Sequence, residues 1–277
     1  RYTSEEELLA DDAVDALFVA SPRRCRIERL LNVMRSGKAV FARGAVVSNK
    51  EELRQLSAFL DKNSQAPFCV DHSLSFSPFA SKIAGIVAKR RAPMMVHYRV
   101  NRGCYGDGCE AAERADAGRI ISDACHIIDL FCFLTSAQPV AVAVEALHLS
   151  RKDVFPTDNF CTQISFDDGS VCSLFYSTVG HYELGGDRME LVFDGKAILV
   201  DDYVSIYGFG LSRMFNETTP VPDRGSETLL RQFFRSLGSD SFEPPIDFAR
   251  LKMVAELTLI IDQLACEGGG KQSLSLT

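Results

Sequence analysis

Apolar and polar positions follow one rhythm over roughly the first ninety residues of this chain and another after it. Ser4 followed by three glutamates reads as a helix start with acids in the first turn. Asp15 to Ala20 carries a short apolar run that ends at Ser21-Pro22, as a buried strand of a parallel sheet would. Ile27, Leu30, Leu31 and Met34 recur with helical spacing, and that helix stops at Gly37. Ala39-Val40-Phe41 reads as a second strand. Asn49 is placed to cap a helix with Leu53, Leu56 and Leu60 on its inner face. Pro67 to Val70 is a third strand. Strand–helix–strand units this short imply a parallel sheet with right-handed crossovers.

A linking helix is expected from Pro78 to Lys89, then a strand over Met94 to Val100 and a loop rich in Gly, Cys and charge from Asn101 to Gly118. A helix over Ser122 to Leu134 comes next. Strands are expected at Val140–Leu147, Phe160–Phe166, Ser170–Ser177, Met189–Phe193 and Ala197–Val200. Asp167-Asp168-Gly169 and Asp194-Gly195-Lys196 read as hairpin turns between them, so this sheet should be largely antiparallel. The alternating positions Leu174, Tyr176, Leu191 and Phe193 are candidates for an interface with a second copy. Gly208-Phe209-Gly210 is assigned to a turn, and residues 151–158 to a solvated loop. Two helices, Glu227–Leu237 and Phe248–Cys266, follow.

Composition narrows the class. Hydrophobic residues make up 46% and charged residues 24%, ordinary values for a globular protein. A net charge of -7 disfavours nucleic acid as a partner. No apolar run approaches the ~20 residues of a membrane helix, and no secretory signal opens the chain, so a cytoplasmic protein is expected. Nine scattered cysteines, several in apolar segments, suit buried thiols in a reducing compartment. Cys104 and Cys109 stand four residues apart in the Gly-rich loop, but no second ligand pair accompanies them, and no metal is expected. The first residue is Arg and the opening reads as mid-domain, so further residues upstream are expected.

Three segments carry a resemblance. They are Asp15–Pro22 with Gly37-Lys38-Ala39-Val40-Phe41, then Phe76-Ser77-Pro78, and then Gly118-Arg119-Ile120-Ile121-Ser122-Asp123-Ala124-Cys125-His126-Ile127-Ile128-Asp129-Leu130. They resemble, in turn, the fourth and fifth nucleotide-domain strands, the domain crossover and the catalytic helix of the Gfo/Idh/MocA oxidoreductases. The last is particularly similar to members fused behind a zinc alcohol-dehydrogenase-like domain. The resemblance implies α/β followed by α+β: an N-terminally incomplete Rossmann domain, then a large, open, mainly antiparallel sheet with helices on one face. The expected division is 1–75 for the partial dinucleotide-binding domain and 76–277 for the substrate-binding and oligomerisation domain. It implies NAD or NADP, a sugar-like substrate, and a homodimer or homotetramer formed through the open sheet.

By the same resemblance, His126 is the candidate acid/base, and Asp123, three residues earlier on the helix, its partner. Ala20, Ser21, Pro22, Arg23, Arg43 and Gly44 are the candidate cofactor-binding residues, and Arg99, Asn101 and Arg102 the candidate substrate-binding residues. Each has a plainer alternative: a core histidine, a first-turn acid answering the helix dipole, a solvated helix start beside Arg24 and Arg26, an exposed strand edge. Asp129 reads as structural. The chain departs from the family where chemistry is done. It has no G-x-G-x-x-G phosphate loop, and Arg43-Gly44-Ala45 stands where the family has Glu-Lys-Pro. The expected function is an NAD(P)-dependent oxidoreductase of a sugar or nucleotide-sugar hydroxyl with a degenerate site. The alternative is a non-catalytic descendant that binds a small ligand or a protein partner.

Overall fold

The computed structural model describes residues 2–20, 26–103, 118–147, 156–239 and 241–274. Its first part is a three-stranded parallel sheet in which β1 (Ala16–Val19), β2 (Ala39–Ala42) and β3 (Phe68–Val70) pair in chain order. A short helix α1 (Glu5–Ala10) precedes it, with the Ser4 hydroxyl accepting from the Glu7 amide as its cap. Helix α2 (Arg26–Arg35) buries Ile27, Leu30, Leu31, Val33 and Met34. Helix α3 (Lys50–Lys62) buries Leu53, Leu56 and Leu60, and Asn49 caps it by accepting from the Glu52 amide at 2.9 Å. The core of this sheet also draws on residues far along the chain, among them Leu229, Phe233, Ile246 and Leu251. Phe233 meets Phe41 edge-on, ring centroids 5.6 Å apart.

A short 3-10 turn (Ser73–Phe76) and helix α4 (Pro78–Val87) lead to the second sheet, whose nine strands lie in a different order from the sequence. The strands are β4 (Met95–Asn101), β5 (Pro139–Ala146), β6 (Phe160–Phe166), β7 (Val171–Ser177), β8 (Asp187–Phe193), β9 (Lys196–Asp201), β10 (Ser205–Phe209), β11 (Glu217–Thr218) and β12 (Gly269–Ser273). β4 lies between β7, to which it is parallel, and β8; every other pairing is antiparallel. The Asp194-Gly195 turn has both residues at positive φ, the geometry of a tight hairpin joining β8 to β9.

One face of this sheet packs on helices and the other is open. Tyr98, Leu174, Tyr176, Leu191 and Phe193 are buried on the helix side, where Tyr98 meets Phe131 of α5 (Cys125–Thr135) edge-on. Leu174, Tyr176, Leu191 and Phe193 are therefore core and not the interface expected from their alternation. Alternation divides a strand into two faces without saying which one a helix covers. The open face carries an in-register row across five strands, Val171, Met95, Val192, Ala197 and Phe209, of which Met95 and Phe209 are each 61% exposed. Gly208 and Phe209 belong to β10, not to a turn, and Gly210 turns the chain just beyond. In the stretch expected to be a solvated loop, Thr157 and Asp158 are buried, Asp158 accepting from the Arg119 amide. Residues 151–155 of that stretch lie outside the described residues.

Helix α6 (Ser226–Leu237) and the long α7 (Phe248–Cys266) complete the helical layer. α5 is apolar on nearly every side and sits between the two cores. Ile121, just before it, belongs to the core of the small sheet, while Ile120, Ala124, Ile127 and Ile128 belong to that of the large one. A buried ion pair anchors this helix. Asp129, fully buried, accepts two hydrogen bonds from Arg250 of α7 and one from the Ser75 hydroxyl. Burial pushes the Asp129 carboxyl above its ordinary value, against the pull of Arg250 and Ser75. Asp129 is thus structural, as its sequence setting suggested. No helix among the described residues is long and apolar enough to cross a membrane.

Candidate active site

The C-terminal ends of β2 and β3 and the first turn of α5 converge on one place. In open α/β sheets ligands bind beyond the carboxyl ends of parallel strands. His126 is the second residue of α5, and a π-helical turn over Ile120–Ala124 leads into it. Its Nδ1 lies 3.3 Å from Nδ1 of His72, two residues past β3, with the rings edge-on at 69°. Burial first, then the charges of His126 and Arg250, hold the His72 imidazole well below its ordinary pKa, so it is neutral near pH 7. With His72 uncharged, one Nδ1 donates and the other accepts, and the contact fixes the orientation of the His126 ring.

The other ring nitrogen of His126 faces Gly44. A Cβ at position 44 would lie 4.0 Å from Nε2, and Gly44 itself has φ +57°, a left-handed conformation that a glycine adopts without strain. The structure therefore places residue 44 beside the histidine, although no side chain is there to reach it. Arg43 is exposed at the same strand end, where its amide donates to the Val19 carbonyl of β1. Ala20 is exposed at the end of β1. Ser21, Pro22 and Arg23 lie outside the described residues. Arg26 donates to the Ala45 carbonyl at 2.7 Å and so latches the segment that holds Gly44.

Asp123 lies close to His126 but is engaged elsewhere. Its carboxylate accepts from Arg102 Nε at 2.7 Å and from the Tyr176 hydroxyl at 2.6 Å. Burial alone would raise its pKa; Arg102, Tyr176 and His126 together bring it below the ordinary value. The imidazole partner is thus His72, and Asp123 contributes charge at a distance. The π turn is the reason: its wider loop makes three residues sweep less than they do in an α-helix, so Asp123 and His126 do not stack. Arg102 also donates to the buried Asp187, which Arg224 pairs from the other side.

The substrate-binding candidates separate. Arg102 reaches the site through Asp123. Arg99 lies on the open face, opposite to the helix-facing Tyr98, beside Arg188 in the register. Asn101 is buried and clasps a neighbouring loop, donating to the His181 carbonyl and accepting from the Gly103 amide. Neither is brought to His126. Sequence reasoning missed His72. Its available signal was its place directly after the buried strand β3, at the ligand-binding end of a parallel sheet.

The residues present fit the nicotinamide end of a dinucleotide. The carboxyl ends of β1 and β2 lie side by side there, and His126 Nε2 faces a residue 44 that carries no side chain. They do not supply a glycine-rich cradle for the pyrophosphate, since the sequence holds no G-x-G-x-x-G.

No family model and no curated protein matches the chain. Solved structures do. UDP-N-acetylglucosamine 3-dehydrogenase from Acidithiobacillus ferrooxidans superposes with a TM-score of 0.76 at 17% identity, covering 95% of this chain and 81% of that one. A dehydrogenase from Bordetella pertussis in complex with NADH and UDP-GlcNAcA gives 0.77 at 16% identity, with 99% and 83% covered. Myo-inositol dehydrogenase from Lactobacillus casei in complex with NAD(H) and myo-inositol gives 0.76 at 15%, with 100% and 82% covered. This chain has the fold of the Gfo/Idh/MocA-type dehydrogenases. It comprises a Rossmann-like parallel sheet and a large, mainly antiparallel one. At these identities the likeness shows the fold alone.

Proposed function

We propose that the protein is an NAD(P)-dependent oxidoreductase acting on a hydroxyl of a sugar or nucleotide sugar, with His126 as its acid/base. The observation that carries this reading is the placement of His126 Nε2 against Gly44, 4.0 Å from where a Cβ at position 44 would stand, at the carboxyl ends of the parallel strands. Three structural neighbours named for dehydrogenation, two of them with NADH or NAD(H), support it. Residues 1–75 would hold the dinucleotide side, with Ala20, Ser21, Pro22, Arg23, Arg43 and Gly44 along the nicotinamide, and residues 76–277 the substrate side and the assembly surface.

A nicotinamide bound there would supply the hydride acceptor for oxidation of the carbinol carbon. Nε2 of His126 takes the hydroxyl proton, since Nδ1 is turned to His72. Arg102 and Asp123 form a charge pair at the start of the helix that carries His126. The open face, with its row through Met95, Val192 and Phe209, is the surface through which two copies would associate.

A second reading is favoured by one observation: Gly44, in a left-handed conformation, stands where the resemblance implies a lysine. On that reading the scaffold binds a small ligand or protein partner without turnover. Fluorescence titration of the intact gene product with NADH and NADPH, followed by oxidation assays on nucleotide sugars, tests the first reading. Cofactor binding without turnover on any hydroxyl substrate would favour the second.

A further inference from the structure

His72, Cys125 and His126 converge more closely than acid/base chemistry requires. The two Nδ1 atoms are 3.3 Å apart, and the Cys125 Sγ completes a set of three ligand atoms all within 4.8 Å of one another. His72 and Cys125 are buried and His126 is half-buried. We propose that these three side chains form a binding site for a zinc-class divalent cation, with two imidazole nitrogens and one thiolate as ligands. The proposal rests on this geometry and not on the oxidoreductase reading.

The distances suit that ion. At a metal–nitrogen length of about 2.0–2.1 Å, a tetrahedral angle separates two nitrogens by about 3.3–3.4 Å. The two histidines already stand at that separation. A metal–sulfur length of about 2.3 Å asks for a sulfur–nitrogen separation of about 3.6 Å, which the thiol reaches by closing in by at most about 1.2 Å. Adjacent helix residues usually diverge. Here both donor atoms lie close to the backbone, and His72 comes from a separate strand end to close the set.

Two further features favour an ion. The donor set combines imidazoles with a thiolate, which selects zinc and its neighbours over magnesium or calcium. His72 and Cys125 also line a small, mostly apolar cavity of about 30 Å³ walled by α3, α7 and β3. That cavity offers space for a water-sized fourth ligand, and its low polarity strengthens attraction between a thiolate and a cation. Binding would release the thiol proton to solvent and occupy Nδ1 of His126. Nε2 would then carry the ring proton and could no longer accept one, so an occupied site would silence an acid/base at His126.

The test uses the intact protein in a Cys104→Ser, Cys109→Ser background, so that those thiols supply no signal, titrated with Co(II) and then with zinc. The expected result is one Co(II) per chain, with a thiolate-to-cobalt charge-transfer band and tetrahedral visible absorption, both displaced by zinc. Cys125→Ser should remove the charge-transfer band, and His72→Gln should weaken Co(II) affinity by about tenfold or more. Circular dichroism melts would establish that both variants are folded. If a variant does not fold, protection of Cys125 from alkylation by added zinc in the otherwise unchanged protein gives the same answer. Absence of binding at micromolar metal, a band that persists in Cys125→Ser, or no protection of Cys125 would overturn the proposal.

Discussion

Nδ1 of His72 stands 3.3 Å from Nδ1 of His126, and the contact leaves Nε2 of His126 turned toward Gly44. The nitrogen available for proton transfer is therefore the one that faces the carboxyl ends of the parallel strands. Replacing His126 by Gln should lower kcat by about 10²–10⁴-fold while NADH affinity, read by fluorescence, stays within about twofold. Loss of affinity with unchanged kcat would assign His126 to cofactor binding instead.

Gly44 offers the complementary experiment. A lysine there must adopt the left-handed conformation now held by glycine, at a cost of about 1–2 kcal/mol, which a folded domain tolerates. Gly44→Lys should fold, melt slightly lower and place an ammonium near Nε2 of His126. On the catalytic reading the unmodified protein already turns over. Activity confined to Gly44→Lys would mark the natural chain as a descendant that has lost catalysis.

The Asp129–Arg250 pair holds α5 against α7 and thereby sets where His126 lies. Arg250→Met strands a fully buried carboxylate and should cost about 3–5 kcal/mol, read as a lower urea midpoint. The double variant Asp129→Leu, Arg250→Met should recover much of that loss, because the stranded charge is gone. Equal losses in the single and double variants would show that shape, not charge, sets the cost.

The open sheet face predicts association. Val192→Glu puts a charge in the middle of the in-register row shared with Met95 and Phe209. Light scattering should show a dimer or larger for the unmodified protein and a monomer for the variant, with an unchanged melting profile. A unmodified protein that is already monomeric at working concentration would remove this surface from the account.

The parallel half of the fold was legible because its signals are local. Leu53, Leu56 and Leu60 mark a helix face, Asn49 its cap and Gly37 the end of α2. β12 was not legible: Gly269 to Ser273 has little strand propensity and exists only because β5 offers an edge. The His126 helix was recognisable, yet its partner was not, because His72 lies 54 residues away and meets it only when β3 and α5 pack. Spacing suggested Asp123 instead, and the π turn that redirects Asp123 has no mark in the pattern of apolar residues. Which face of the large sheet is covered was likewise set by helix packing and not by alternation along any strand.

The most direct test of the central claim is a fluorescence titration of the intact gene product with NADH and NADPH, run beside the Gly44→Asp variant. The account predicts saturable binding of one of the two, weakened at least about tenfold when a carboxylate stands at position 44 beside His126. No binding of either cofactor, or binding indifferent to Gly44→Asp, would contradict it.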